Sequence, residues 1–294
     1  MHMKNSDFNY DLAFSRNFGW VTKENQLQLK NSRVAIAGMG GVGGNHIITL
    51  TRLGIEKFHL ADFDTFEIHN FNRQAGAMMS TLGQAKLSVM SRLALDINPN
   101  LEIKAFSEGV QEQNMDAFLN GVDIFVDGLD VYEIDIRRKV FMECHRRGIP
   151  VVTVGPVGMG GALLNFLPGQ MSFDDYFGIN SQQSLEEKFA RFLVGLTPSF
   201  IHMKAMADIS SINPKERKAP STPMGCYLAA GIMGSEVLKI LLKRGKVYAA
   251  PYSLQFDAYS NVLKKKCFWG GAKNPLFQLR LWIFKRLMKA RNKK

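Results

Sequence analysis

Short apolar runs alternate along the chain with stretches whose apolar residues recur every three to four positions. Arg33-Val34-Ala35-Ile36-Ala37 is brief, rich in β-branched and small residues, and stops at a glycine, which favours a buried strand. Beyond the glycines, Ile47, Ile48, Leu50, Thr51 and Leu53 share helical spacing up to Gly54, and 57–62 reads as a second strand. Strand, glycine turn, helix, strand is a βαβ unit, which implies parallel pairing and a right-handed crossover. The rhythm continues with a helix over 84–97 closed by Asn98-Pro99, strands over 101–106 and 122–127, and a helix over 134–147 closed by Gly148. A strand over 150–154 leads to a glycine-rich turn at 155–161 and a further strand to Phe166. The pattern predicts an α/β fold: a doubly wound, mostly parallel, Rossmann-like sheet that continues into antiparallel strands.

The rhythm breaks over 168–222, where Pro168, Pro198, Pro214 and Pro220 interrupt helical pieces such as 184–193. A crossover insertion of that length is expected to act as a lid or binding loop. A helix over about 225–243 follows, then strands over 251–257 and 262–266, and an amphipathic helix over 275–291. One domain over 1–263 followed by a tail over 264–294 is the expected organisation.

Charge separates the same two parts. Of 37 cations, eleven lie in 264–294, which has no Asp or Glu; the rest of the chain carries 26 cations against 26 acids. The net charge of +11 therefore belongs to the tail, and an argument from basicity toward an anionic partner applies there alone. No run of about 18 consecutive apolar residues is present, so no spanning helix is expected. The polar N-terminus gives no expectation of a secretory leader. Cys144, Cys226 and Cys267 lie far apart without a CxxC pair, so a reduced, cytoplasmic protein is expected, with neither a disulfide framework nor structural zinc.

The candidate chemistry centres on the turn Gly38-Met39-Gly40-Gly41-Val42-Gly43, between a predicted strand and a predicted helix. Glycines there allow a tight turn and close backbone approach to phosphate, and the helix N-terminus adds unpaired N–H groups. Asp62 ends the second strand, where an acid can bond ribose hydroxyls. To that point a dinucleotide site is the leading reading. Arg73 and Lys86 shift it, because both fall near the carboxyl ends of the predicted strands. A triphosphate undergoing displacement carries more charge than a dinucleotide. It needs such cations, and usually Mg²⁺ on a carboxylate such as Asp130.

GMGGVGG, DFDTFEIHNFNRQ, GQAK and DGLD, in that order, resemble the nucleotide site of the ThiF/MoeB/HesA and E1-activating-enzyme family, over roughly 16–242. The resemblance implies ATP-dependent adenylation of a carboxylate, with release of pyrophosphate. The expected acceptor is the C-terminus of a ubiquitin-like carrier protein or a peptide. It implies that Gly38, Gly40, Gly41 and Gly43 line the phosphates and that Asp62 holds the ribose. Asp64, Asn70, Asn72, Arg73 and Gln74 would sit around the nucleotide, and Lys86 would neutralise the β- and γ-phosphates. Asp130 would bind Mg²⁺ beside Val131, where the family often has Asn. Arg16 matches an arginine that reaches the neighbouring protomer's triphosphate, which implies a homodimer. Asp64 could equally serve its own loop.

Two further readings go with the resemblance. One is a relative that adenylates a modified tRNA base; the other is a nucleotide-binding, non-catalytic partner subunit. No cysteine lies in 168–222, where E1-type enzymes often carry a thioester nucleophile; Cys226, just beyond it, is the remaining candidate, against a simple packing role. In the tail, Leu276, Leu279, Ile283 and Leu287 form one stripe and Phe277, Leu281, Phe284 and Met288 the next, with Arg280, Lys285, Lys289 and Arg291 on the polar side. That composition suits a peripheral contact with an anionic membrane or a partner, or a helix packed on the protein's own core.

Overall fold

A computed structural model describes residues 8–208 and 219–291. The chain divides into two compact units, Met1–Leu129 with Met233–Lys246, and Asp130–Ile232 with Val247–Lys294. The first opens with helices α1 (Tyr10–Ala13) and α2 (Lys23–Asn31). Strand β1 (Arg33–Ala37) then leads through the glycine turn into α3 (Gly43–Arg52), followed by β2 (Lys57–Ala61), α4 (Lys86–Ile97), β3 (Glu102–Phe106), α5 (Met115–Leu119) and β4 (Ile124–Asp127).

The strands lie in the order β3-β2-β1-β4, all parallel. Val34 to Ala37 and all of β4 are buried, as expected for central parallel strands covered on both faces, whereas edge strand β3 exposes Glu102, Lys104 and Ala105. Ala37 pairs with both Ala61 and Asp127, so β1, β2 and β4 end level. That register sets Gly38, Asp62 and Gly128 side by side at one edge of the sheet.

α3 buries Ile47, Leu50 and Thr51 together with His46. Among the described residues neither ring nitrogen of His46 has a hydrogen-bond partner, and full burial pushes its pKa down to about 3. α4 buries Leu87, Val89, Met90 and Ala94.

In the second unit, α6 (Ile134–Arg147) ends at left-handed Gly148. Strands β5 (Val151–Val157) and β6 (Gly160–Phe166) then form an antiparallel hairpin. The expected glycine-rich turn is therefore mostly strand, with Gly155 opposite Ala162 and Pro156 opposite Gly161. Glycine is needed there for close approach, since a Cβ on Gly160 would overlap the Phe256 carbonyl oxygen.

The segment after β6 corrects a second expectation. Helices α7 (Phe173–Phe177) and α8 (Leu185–Leu196) are packed elements rather than a free lid. Phe173, Tyr176 and Phe177 are buried against Phe141 and Phe166, Phe192 packs on Phe173 and Phe177, and Tyr132 stacks on Phe189 at 5.0 Å. Arg138 grips Asp174 through two hydrogen bonds of 2.7 and 2.6 Å, and Lys188 reaches Asp135 at 2.6 Å. Residues 209–218 of the expected insertion lie outside the described residues.

α9 (Pro223–Leu241) follows, then antiparallel β7 (Tyr252–Asp257) and β8 (Val262–Cys267), and finally α10 (Pro275–Arg291). By length and composition α9 could cross a bilayer, but it buries Cys226, Ala229, Ala230, Met233 and Val237 and carries Glu236 and Lys239, as a core helix does.

Two predictions follow from this packing. Gly43→Ala, whose Cβ would overlap the Gly38 carbonyl oxygen, is expected to cost at least about 2 kcal/mol. Gly231→Ala, in a helix with nothing among the described residues within 4 Å of the new methyl, is expected to gain up to about 1 kcal/mol. Urea denaturation of the two variants checks both signs. For His46, the folded pKa lies below the ordinary 6.5, so its stabilising share is present above that pH and is lost as pH falls toward 3. Between pH 7 and 5 the loss from this one group is about 2 kcal/mol, and His46→Leu should remove that much of the pH dependence in urea titrations.

Candidate nucleotide site

The glycine turn closes on itself through backbone. Gly38 has φ +90°, open to glycine but strained for other residues, and its N–H donates to the Ala61 carbonyl at 2.7 Å. A Cβ on Gly38 would overlap the Gly128 carbonyl oxygen, and one on Gly128 would stand 2.7 Å from the Gly38 oxygen. The turn and the end of β4 thus touch main chain to main chain. Asn45 donates to the Gly41 carbonyl at 2.6 Å and the Gly44 N–H to the Gly40 carbonyl at 3.0 Å, while no side chain caps α3 at Val42.

Asp62 stands at the centre. One carboxylate oxygen accepts the Met39 N–H at 2.5 Å and the other accepts the Asp64 N–H at 2.7 Å. Burial raises its pKa, and these two N–H donors oppose the rise. The acid expected to hold a ribose clamps the glycine turn.

Asp64 turns the same chain of contacts toward Lys86. Its carboxylate meets the Lys86 ammonium at 3.0 Å and its carbonyl accepts the Lys86 N–H at 2.9 Å. The Lys86 side chain is only 8% exposed, so this partner offsets a costly burial. Asp64 thus has a structural role in holding the cation.

The intervening loop holds the remaining candidates. Buried Asn70 accepts the Glu67 N–H at 3.0 Å and so fixes a 3-10 turn. Arg73 donates to the His69 carbonyl at 3.0 Å and to Asn72 Oδ1 at 2.8 Å, which pins the guanidinium to its own turn. Gln74 is buried beside Gly40, its Nε2 3.6 Å from where a Cβ on Gly40 would lie. Its Oε1 has no partner among the described residues. Arg16 is exposed in the 3-10 turn Ser15–Asn17.

The structure thus brings together Gly38, Gly43, Asp62, Asp64 and Lys86, with Gln74 against Gly40, and joins Asn72 to Arg73. Asp130, Val131 and Cys226 belong to the second unit. Asp130 accepts the Tyr132 N–H at 2.9 Å just ahead of α6. Cys226 is buried, with the Ser221 hydroxyl 3.8 Å from its sulfur, which suits packing rather than an exposed nucleophile. Two residues of the DGLD motif have roles that spacing did not reveal. Gly128 makes room for Gly38, and Asp127 accepts the Leu129 N–H at 3.1 Å. An acid followed by glycine at a strand end was their signal.

A parallel sheet with a glycine turn, a clamping acid and a buried lysine at its carboxyl edge defines a nucleotide-binding α/β protein. A model of the ThiF family matches residues 14–274, most of the sequence, and the chain belongs to that family. The tRNA threonylcarbamoyladenosine dehydratase of Bacillus subtilis is 38% identical over 143 residues, 48% of this chain and 55% of that protein. The chain thus spans about half the length of that relative. The molybdopterin-synthase adenylyltransferase of Salmonella typhimurium is 26% identical over 188 residues, 62% of this chain and 75% of that protein. Among solved structures, Escherichia coli MccB with MccA has a TM-score of 0.68 at 18% identity, covering 93% of this chain and 76% of that one, a likeness of fold.

The clamp can be tested directly. Asp62→Asn keeps the shape but turns an amide N–H toward one of two backbone donors. It should cost about 1–3 kcal/mol in urea melts and speed amide exchange at Met39 and Asp64.

Proposed function

We propose that this chain is an ATP-dependent adenylyltransferase. In the reaction a carboxylate oxygen attacks the α-phosphorus of ATP, the bond from that phosphorus to pyrophosphate breaks, and an acyl-adenylate forms. The carboxylate is already ionised at neutral pH, so the protein needs no base, and catalysis is positioning plus charge stabilisation. The observation that carries the reading is the buried Lys86 ammonium, tied through Asp64 and Asp62 to the glycine turn. A dinucleotide has no need of a cation buried and clamped in this way; a triphosphate does.

Each residue then has a task. Gly38, Gly40, Gly41 and Gly43 admit the phosphates to backbone N–H groups at the start of α3. Lys86 and Arg73 neutralise charge on phosphate, Asp62 holds the ribose, and Gln74 backs the turn beside Gly40. Asp130 is the carboxylate proposed for Mg²⁺. One of its oxygens is engaged by Tyr132, and its remaining lone pairs suit an ion that takes one carboxylate plus phosphate oxygens and water. The acceptor is proposed to be a small carrier protein or peptide with a free C-terminus.

The active form is proposed to be a homodimer in which Arg16 serves the neighbouring site. Exposed Arg16 is flanked by Leu12 and Trp20, both largely uncovered, and Ile68, Met78 and Met79 are exposed apolar residues on the loop that carries Arg73. Such clusters suit an interface.

ATP–pyrophosphate exchange in the presence of a carrier ending in Gly-Gly tests the reading. Lys86→Ala and Arg73→Ala should each lower exchange by about 10²–10³-fold. Intact exchange in the double variant would overturn these roles, and preference for NAD over ATP in a binding titration would overturn the ligand. Mixing Arg16→Ala with Lys86→Ala protomers should restore roughly a quarter of wild-type activity, because half of the dimers then hold one intact site. No rescue on mixing rejects the shared site.

A second reading draws on the Bacillus subtilis relative, named for a tRNA modification. There the carboxylate would sit on a modified tRNA base. Tight, salt-sensitive binding of tRNA would favour it over a carrier protein, and indifference to tRNA removes it.

A further inference from the structure

Helix α10 divides its apolar residues between two faces. Phe277 and Leu281 are buried, Phe277 against Phe268 with ring centroids 5.3 Å apart, and Lys285 pairs with Glu187 of α8. One face of the helix is therefore anchored on its own unit. The other face is open: Leu276, Leu279, Trp282, Ile283 and Leu287 are 44, 52, 50, 44 and 65% exposed. At 100° per residue these five lie on one stripe, along a helix of roughly 26 Å. An exposed apolar stripe of this length on an anchored helix marks a contact surface.

The charges of the tail say what the contact is. Arg286 lies within the open face, between Trp282 and Leu279 around the helix, and stacks its guanidinium over the Trp282 ring at 3.9 Å. Lys264, Lys265 and Lys266 are exposed on β8, and Trp269, between β8 and α10, is 68% exposed. Residues 264–294 hold eleven cations and no acid. A second copy docked face to face would bring two cationic helices together with no carboxylate from either tail. A nucleic acid would meet the cations but would leave the Leu and Ile side chains without an apolar partner. Anionic lipid answers both features, with acyl chains for the stripe and headgroup phosphates for the cations, and tryptophan suits the boundary between them.

We propose that the open face of α10 lies in the plane of an anionic lipid surface and holds the protein there peripherally. The inference is independent of the reaction at the nucleotide site, and its test does not involve turnover.

Flotation of the full chain with vesicles provides that test. Vesicles of phosphatidylcholine with about a third phosphatidylglycerol should retain at least about tenfold more protein than phosphatidylcholine alone, falling several-fold in high salt. Trp282 emission should shift to the blue on binding, and Trp282→Phe should abolish most of that shift. Leu279→Gln with Leu287→Gln alters two exposed positions, so the thermal melt should be unchanged while retention falls about tenfold. The proposal is overturned by retention that the double variant leaves intact, by equal retention on neutral vesicles, or by conversion of a dimer to a monomer by the double variant without vesicles. Displacement from vesicles by tRNA at equal salt, with tRNA binding lost in Lys264→Gln/Lys265→Gln/Lys266→Gln and kept in the leucine variant, would assign the surface to nucleic acid and likewise overturn it.

Discussion

The carbonyl oxygen of Gly38 occupies the space in which a side chain at position 43 would begin, and Gly128 presses against the same turn from the end of β4. Everything proposed for the nucleotide rests on this main-chain contact. The turn can lie flat against the level ends of β1 and β4 only if no Cβ intervenes. The parallel register, with Ala37 opposite both Ala61 and Asp127, brings Gly38, Asp62 and Gly128 to that edge.

Charge is arranged on top of this backbone frame. A lysine as buried as Lys86 is costly unless paired, and Asp64 is its partner. Asp64 is itself fixed by its own N–H to Asp62, and Asp62 by the Met39 N–H of the turn. A cation one helix, one strand and a loop away in sequence is thereby registered to the glycine turn. The hydrogen bonds that stabilise the ionised Asp62 work against the desolvation that raises its pKa, so one carboxylate serves the local fold and the electrostatics of the site together.

The second unit solves a different problem. Its antiparallel strands are covered by α7 and α8, whose phenylalanines make an aromatic core with Phe141 and Phe166. The Arg138–Asp174 and Lys188–Asp135 pairs hold the same helices to α6. α10 docks by Phe277 and Leu281 and leaves its other face open, so the tail is an anchored element and also a cationic surface.

Much of this was legible from residue order alone. Apolar runs and helical spacing locate β1, α3, β2, α4 and α10 to within a few residues, because the period of a buried face is set by local geometry. That the glycine turn and Asp62 lie together was also legible, since a turn leading from a strand into a helix and an acid at the next strand end follow from the βαβ unit. Tertiary structure decided the rest. The prolines over 168–222 suggested a free insertion; burial of Phe173, Tyr176, Phe177 and Phe192 made much of it core, a pairing between distant segments that no local pattern encodes. The run at 155–161 suggested a turn, and proved to be paired strand because a neighbouring backbone comes too close for a side chain at Gly160. Asp64 could have served ligand or loop, and only the 3.0 Å approach of Lys86 from 22 positions away assigned it. Sequence thus determined which residues could do chemistry, through composition and period. Which of them meet, and which apolar face stays open, was decided by long-range packing.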